Sequence, residues 1–270
     1  MFRPDLADSL LTRASRGQLL MGMHCSTMSA QAVELAGLAN LDYVILGTEV
    51  EQVDPSRLED LVRTADGAGL ASIIKLRRND PNLAVDAFTT GAQFVLAPHI
   101  TTGEEYQRMI DASRFAPEGL RGICPVGRFV GYGTTPLRKV IEATRRYNMI
   151  IPSIEEREAV DNIDDILSVD EGGILDIGPY DLSLSLGCDA PEHMYANKET
   201  MEAIDLVAAK AKEKNKALLG PVWPRGDLSG QEHAAFLRER LQSRGFHLLY
   251  DGDLSAMLRH FSRMSGMRAT

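Results

Sequence analysis

The chain has 270 residues, 44% hydrophobic and 25% charged, which suits a soluble globular protein with a sizeable core. Its 38 Asp and Glu against 29 Lys and Arg give a net charge of −9. Adjacent basic residues occur only as Arg77-Arg78, Arg138-Lys139 and Arg145-Arg146, so no nucleic-acid partner is expected. Cys25, Cys124 and Cys188 are isolated and form no CxxC, which fits a reducing compartment without a disulfide frame. The first residues hold acids and no apolar h-region, and no run of 18 apolar residues occurs. The chain therefore reads as cytoplasmic, with no membrane partner.

Apolar runs and amphipathic stretches alternate along the chain. Met1 to Gly17 reads as a helix with Leu6, Leu10 and Leu11 on one face, and Leu19 to Cys25 as a first buried strand. A helix over Ser29 to Ala39 leads to a second strand, Asp42 to Leu46. A helix over Pro55 to Ala65 leads to a third, Ala71 to Leu76. Asn82 to Thr89 reads as helix and Gln93 to Ala97 as the fourth strand. Glu104 to Ser113 is helical. Pro117 to Thr135, rich in Gly and Arg, is irregular, and Pro136 to Tyr147 is helical.

The fifth strand is Met149 to Ser153 and the sixth Ile174 to Ile177, with a helix from Glu156 to about Leu167 between them. Lys198 to Asn215 is a long helix before the seventh strand, Ala217 to Val222. Glu232 to Gln242 is a helix, His247 to Tyr250 the eighth strand, and Leu254 to Met264 the last helix. Eight strands alternating with helices predict an α/β fold with a parallel sheet. At this length they close into one (β/α)₈ TIM barrel spanning 1–270, a fold of ~250 residues. No GxGxxG follows the first strand, so an open dinucleotide-binding sheet lacks support.

In such a barrel, chemistry gathers at the C-terminal ends of the strands. That rim selects His24, Glu49, Lys75, His99, Glu155 and Asp181. The block Ile151 to Gly187 is the most informative. Its two strands point the same way, so Glu155, just after one, and Asp181, in the Gly178-Pro179-Tyr180-Asp181 turn after the other, share one rim. Two neighbouring carboxylates need a shared proton or a cation. Two oxygen ligands completed by water suit Mg²⁺ or Mn²⁺. Each acid taken alone reads more readily as a helix-start residue, and only the pair with its turn points to a metal.

This block resembles the HpcH/HpaI aldolase/citrate lyase family, the metal-dependent class II pyruvate aldolases of the 2-keto-3-deoxy acid type. Members carry a strand ending in Ile-Glu and, one strand later, Gly-Pro-x-Asp-Leu-Ser; here these are Ile154-Glu155 and Gly178 to Ser183. Framework matches extend over nearly the whole chain: Asn79-Asp80-Pro81, Gly91-Ala92-Gln93 with Pro98, Pro117 to Gly122, Arg128 with Tyr132-Gly133, and Gly245-Phe246. The resemblance implies a barrel of the phosphoenolpyruvate/pyruvate superfamily. It implies carbon–carbon lyase activity on a 2-oxo acid such as pyruvate or oxaloacetate. A divalent ion, Mg²⁺ first with Mn²⁺ or Co²⁺ as alternatives, would sit on Glu155 and Asp181. The turn Gly178, Pro179, Tyr180 and Asp181 would hold the substrate carboxylate, with Ser153 beside it. A homo-oligomer, trimer or hexamer, is implied as well.

The chain departs from the family where the chemistry is done. The family's second strand ends in Asp-Gly-Glu-His, whose Asp and His move protons; here it reads Gly47-Thr48-Glu49-Val50. The Arg that stabilises the enolate oxygen is matched by Lys75, a point charge without the bidentate fork. A relay acid falls at Thr89, and a Gln near the metal Glu is Ser153. Three expectations follow. His24 or His99, or a metal-bound hydroxide, replaces the missing base in an aldolase. Or the reaction is one that needs no base, such as decarboxylation, or a tautomerisation or condensation. Or the barrel binds a keto acid without turnover. A Schiff base on Lys75 is disfavoured by the carboxylates around it. Trp223 is expected to pack, and Arg121 and Arg128 to serve loop or subunit contacts.

Overall fold

The computed structural model describes residues 3–51, 53–169, 172–189, 197–222, 235 and 239–266. Helix α1 (Pro4–Ser15) precedes strand β1 (Leu20–His24), and then come α2 (Ala30–Leu38), β2 (Tyr43–Gly47), α3 (Pro55–Ala68), β3 (Ala71–Lys75), α4 (Pro81–Thr89), β4 (Phe94–Ala97) and α5 (Gly103–Ser113). A 3₁₀ turn at Gly131–Gly133 lies in the irregular stretch before α6 (Leu137–Tyr147). There follow β5 (Met149–Ile154), α7 (Arg157–Asp161), α8 (Ile163–Ile166), β6 (Ile174–Ile177), α9 (Pro179–Ser185), α10 (Lys198–Glu213), β7 (Ala217–Pro221), β8 (Phe246–Gly252) and α11 (Asp253–Gly266).

All eight strands pair in parallel and in chain order, with β8 returning to β1, so the sheet is a closed barrel. This is the expected (β/α)₈ architecture. Two details differ from the sequence reading. The helix expected from Glu156 to Leu167 is two short ones, broken at Asn162. Asn162 leaves helical geometry and its amide reaches the Thr101 carbonyl at 3.0 Å. The Gly178 to Asp181 turn is the start of α9, with Pro179 at its first position, where a missing N–H costs nothing. The helix expected over Glu232 to Gln242 lies largely outside the described residues, as does Trp223. Among the described residues no helix is long and apolar enough to cross a membrane.

Strand alternation divides the core in two. One parity packs outward on the helices, as with Val44, Leu46, Ile74, Val95 and Ile150. The other fills the lumen in layers, as with Leu20, Tyr43, Ile45, Ile73, Phe94, Leu96 and Ile151, while Ala7, Leu10 and Ala14 of α1 pack against its N-terminal end. The same inward parity continues upward to His24, Gly47, Lys75, Ser153 and Asp176. At the C-terminal end the lumen therefore changes from apolar to ionisable.

Candidate active site

Glu155 is buried, 1% exposed, just past the end of β5. Its Oε1 accepts the backbone N–H of His99 at 2.7 Å, and its Oε2 lies 3.1 Å from the Ser153 hydroxyl. It can approach the β6 rim because residue 178 is glycine: a Cβ there would stand 2.6 Å from Oε2. His99 delivers its N–H from a left-handed backbone, φ 54°, an uncommon conformation for a non-glycine residue. Its Nδ1 lies 2.8 Å from Glu156 Oε1, and its Nε2 3.8 Å from Glu49 Oε1. His99 therefore hydrogen-bonds Glu155 through its main chain, a role no sequence pattern signals, while its Nδ1 lies 3.5 Å from the same oxygen.

Lys75 ends β3 inside the lumen and is ion-paired with Glu49. Burial works against its charge, but Glu155, Glu49 and Asp176 outweigh that and raise its pKa above the ordinary lysine value. The amine is held as ammonium, which disfavours Schiff-base chemistry and suits a fixed positive charge beside a developing oxyanion.

Asp176 does not stand out in the sequence, where Ile174-Leu175-Asp176-Ile177 reads as one apolar strand. It sits opposite Ser153 in the β5–β6 register, and Ser153 donates to its Oδ2 at 2.7 Å. Its other oxygen has no partner. Burial, with Glu155 adding to it, pushes its pKa up to about 7 against the opposing Ser153 bond and Lys75 charge. Ser153 is fully buried between the two acids.

Asp181 lies in the first turn of α9 and is exposed. Its carboxylate accepts no hydrogen bond from a described residue. Glu155 is thus fixed in place, and Asp181 stands open at the neighbouring strand end. Among the described residues no group of three or more His, Cys, Asp and Glu could hold a metal. Glu155, hydrogen-bonded by the His99 N–H and the Ser153 hydroxyl, and the unengaged Asp181 fit a hard divalent ion that keeps several waters. A cleft of about 950 Å³, lined by Thr48, Glu49, Glu51, Leu83, Arg77 and Thr89 among others, opens beside this rim.

At the end of β2, Gly47 leaves a space that two other side chains occupy. Glu51, just after the strand, and His24 from β1 meet there, Nε2 to Oε1 3.4 Å. Val50 is 80% exposed. The Thr89 hydroxyl turns back to the Val85 carbonyl at 2.8 Å.

The model of the HpcH/HpaI aldolase/citrate lyase family matches residues 20–239. The chain belongs to that family. It is 26% identical over 209 residues to 5-keto-4-deoxy-D-glucarate aldolase of Klebsiella pneumoniae subsp. pneumoniae, covering 76% of this chain and 79% of that one. The Salmonella paratyphi A protein of the same name is 28% identical with the same coverage. Among solved structures, an HpcH/HpaI family protein from Burkholderia cenocepacia J2315 superposes with TM-score 0.84 at 24% identity, covering 97% of this chain and 100% of that one. CitE from Mycobacterium tuberculosis, solved with magnesium and acetate, shares the fold at TM-score 0.57 and 13% identity, covering 87% and 86%. The family is one of carbon–carbon lyases, generally dependent on a divalent metal.

Within the family's frame the two arginines are structural. Arg128 is ion-paired with Asp66 and donates to the Thr90 carbonyl at 2.6 Å. Arg121 packs on Phe129, Phe115 and Phe88, 4.5, 4.8 and 5.7 Å from their ring centres.

Proposed function

We propose that this chain is a divalent-metal-dependent carbon–carbon lyase of aldolase type, acting on a 2-oxo acid through a pyruvate enolate. The observation that carries this reading is a Lys75 ammonium at the end of β3, ion-paired with Glu49 and sustained by the charge of the buried, fixed Glu155 carboxylate. Glu155 and Asp181 would hold the ion, and the start of α9, Gly178 to Asp181, would meet the substrate carboxylate. A divalent cation held there stabilises negative charge developing on the 2-oxo group. Lys75 supplies a second positive charge on the β3 side and is itself oriented by Glu49. The walls of the lumen exclude water beneath the reacting carbons. The magnesium named for the CitE structure makes Mg²⁺ the first ion to test, and the aldolase relatives make hydroxylated sugar-acid derivatives the first substrates.

A second reading is favoured by Gly47 and the outward-facing Val50, which stand where the family resemblance would place the proton-moving acid and imidazole. Loss of CO₂ from an oxaloacetate-like acid makes the enolate without a base. Tautomerisation or condensation would use the same enolate. Apolar Leu254, Leu258 and Phe261 recur at helical spacing on α11 and are each more than half exposed, which supports the homo-oligomer that the family resemblance implies.

The test is turnover of oxaloacetate and of 4-hydroxy-2-oxo acids with and without Mg²⁺, Mn²⁺ or Co²⁺, alongside Asp181→Ala. Pyruvate formation that needs both the metal and Asp181 is the expected result. Metal binding without turnover of any acid would leave a keto-acid-binding barrel. A calorimetric titration with no metal binding would sink the assignment of Glu155 and Asp181.

A further inference from the structure

An aldolase needs a group to take the proton of the cleaved alcohol, and the second strand carries none. Glu51 is the unexplained residue on this rim. Its side chain is 7% exposed, yet neither carboxylate oxygen has a hydrogen-bond partner. A buried carboxylate with two unmet acceptors is costly unless a cation or donor faces it. The group that faces it is His24, whose Nε2 is also buried and unpartnered, 3.4 Å away. That gap is longer than an ordinary N–H···O bond by about half an ångström, and such contacts commonly tighten when substrate binds.

The room for this meeting exists because residue 47 has no side chain. A Cβ at Gly47 would lie 2.3 Å from Glu51 Oε2 and 2.8 Å from His24 Nε2. A side chain at residue 47 and the meeting of Glu51 with His24 would compete for the same space.

Resting on the lyase reading above, we propose that His24 is the proton-transfer group of this site and that Glu51 is its positioning residue. Glu51 accepts a hydrogen bond from Nε2–H and so leaves Nδ1 as the basic atom. In cleavage of a 4-hydroxy-2-oxo acid, Nδ1 accepts the C4 hydroxyl proton and the O–H electron pair becomes the aldehyde C=O. The C3–C4 bond breaks, and its electrons pass to the C2 oxygen as the pyruvate enolate. The imidazolium then returns its proton to C3, giving pyruvate and neutral His24. Lys75 balances the enolate charge throughout.

The groups facing His24 are Glu51 from the β2–α3 connection, Glu49 beside it, Lys75 of β3, Asp253 of α11 and the Tyr250 ring edge of β8, 6.1 Å between centroids. Burial and Lys75 lower the His24 pKa while Glu51, Asp253 and Glu49 oppose them, and the net direction is down. That keeps the imidazole neutral, as a base must be, near neutral pH.

The experiment compares two reactions of the metal-loaded chain: retro-aldol cleavage of 4-hydroxy-2-oxoglutarate, which needs a base, and decarboxylation of oxaloacetate, which does not. The variants are His24→Asn, Glu51→Gln and Gly47→Ala, with Mg²⁺ affinity and thermal melting as folding controls. For His24→Asn the ratio of cleavage to decarboxylation is expected to fall about 100-fold or more. Glu51→Gln is expected to lower it about 10-fold and to move the acidic limb of the cleavage pH profile to lower pH, because the group that favours the imidazolium is gone. Gly47→Ala should behave like Glu51→Gln, having displaced the pair. An unchanged ratio in His24→Asn overturns the proposal, as does a Glu51→Gln profile that does not move. A wild-type chain that turns over neither acid sinks the lyase reading itself, a result distinct from a wild type that cleaves and a His24→Asn variant that cleaves equally well.

Discussion

Two buried polar networks lie at opposite ends of this barrel, and they are built to different standards. At the N-terminal end, Asp66 of α3 pairs with Arg128 through one carboxylate oxygen and lies 3.3 Å from Gln93 Nε2 through the other. Gln93 Oε1 in turn accepts the Ser72 N–H and hydroxyl at 2.7 and 2.9 Å. The hydrogen-bonding atoms of these side chains meet partners inside the protein. At the C-terminal end, His24 Nε2, both oxygens of Glu51 and Asp176 Oδ1 are buried and meet none among the described residues. A closed network rigidifies a fold; an open one costs stability and persists where something else completes it. The contrast is between these two networks, since Tyr43 OH, Asn148 Oδ1 and His247 Nδ1 near the strand starts are also buried without a hydrogen-bond partner among the described residues.

The largest expected effect breaks the closed network. Arg128→Met leaves Asp66 buried without its cation, which should cost about 3–5 kcal/mol of unfolding free energy. Denaturant melts of the metal-free chain measure it, and Mg²⁺ affinity of the remaining folded protein should stay within twofold. If turnover falls while stability holds, the division between the two ends fails.

The next effect falls on the open network. Lys75→Met removes the ammonium beside Glu155 and should lower cleavage and decarboxylation alike by ~10²–10³-fold, the usual range for one charge-stabilising donor. Mg²⁺ should bind as tightly or more tightly, since a competing cation has left the neighbourhood of Glu155. Lys75→Arg should recover part of the rate. Weakened metal binding in Lys75→Met would show that the lysine supports the ligands and not the substrate.

The closed end of the molecule is far more legible in sequence than the open end. Apolar runs bounded by turn residues place all eight strands, and β6 falls on Ile174–Ile177 as read. Those signals are periodic and repeat over many residues. The rim has no period. Lys75, Glu155 and His99 stand out because they end strands, but the use His99 makes of its main chain depends on a φ that residue type does not announce. Glu51 sits in a short acidic run with Glu49 and Asp54 and carries no signal of its own. Its burial depends on the missing side chain at Gly47. Asp176 could have been found: it lies two residues before Gly178 and so shares its inward parity, and an acid at an inward position of a buried strand needs a reason.

Asp176 gives the sharpest test of the open network. Its carboxyl titrates at the ordinary aspartate value of 3.8 in the unfolded chain and at about 7 when folded. The folded state therefore holds this proton over a window in which the unfolded chain has released it. Its contribution to stability is fully present below the unfolded value, declines as pH rises between the two, and levels off above the folded one. The slope from one such group approaches ~1.4 kcal/mol per pH unit inside the window. Asp176→Asn can keep the Ser153 hydroxyl bond and removes the titration. Melts of the metal-free wild type and variant from pH 4 to pH 8 should then diverge, the variant losing less stability on the alkaline side. Parallel curves would mean that the Asp176 carboxyl gains no affinity for its proton on folding, and that the buried layer beneath Glu155 is open to water.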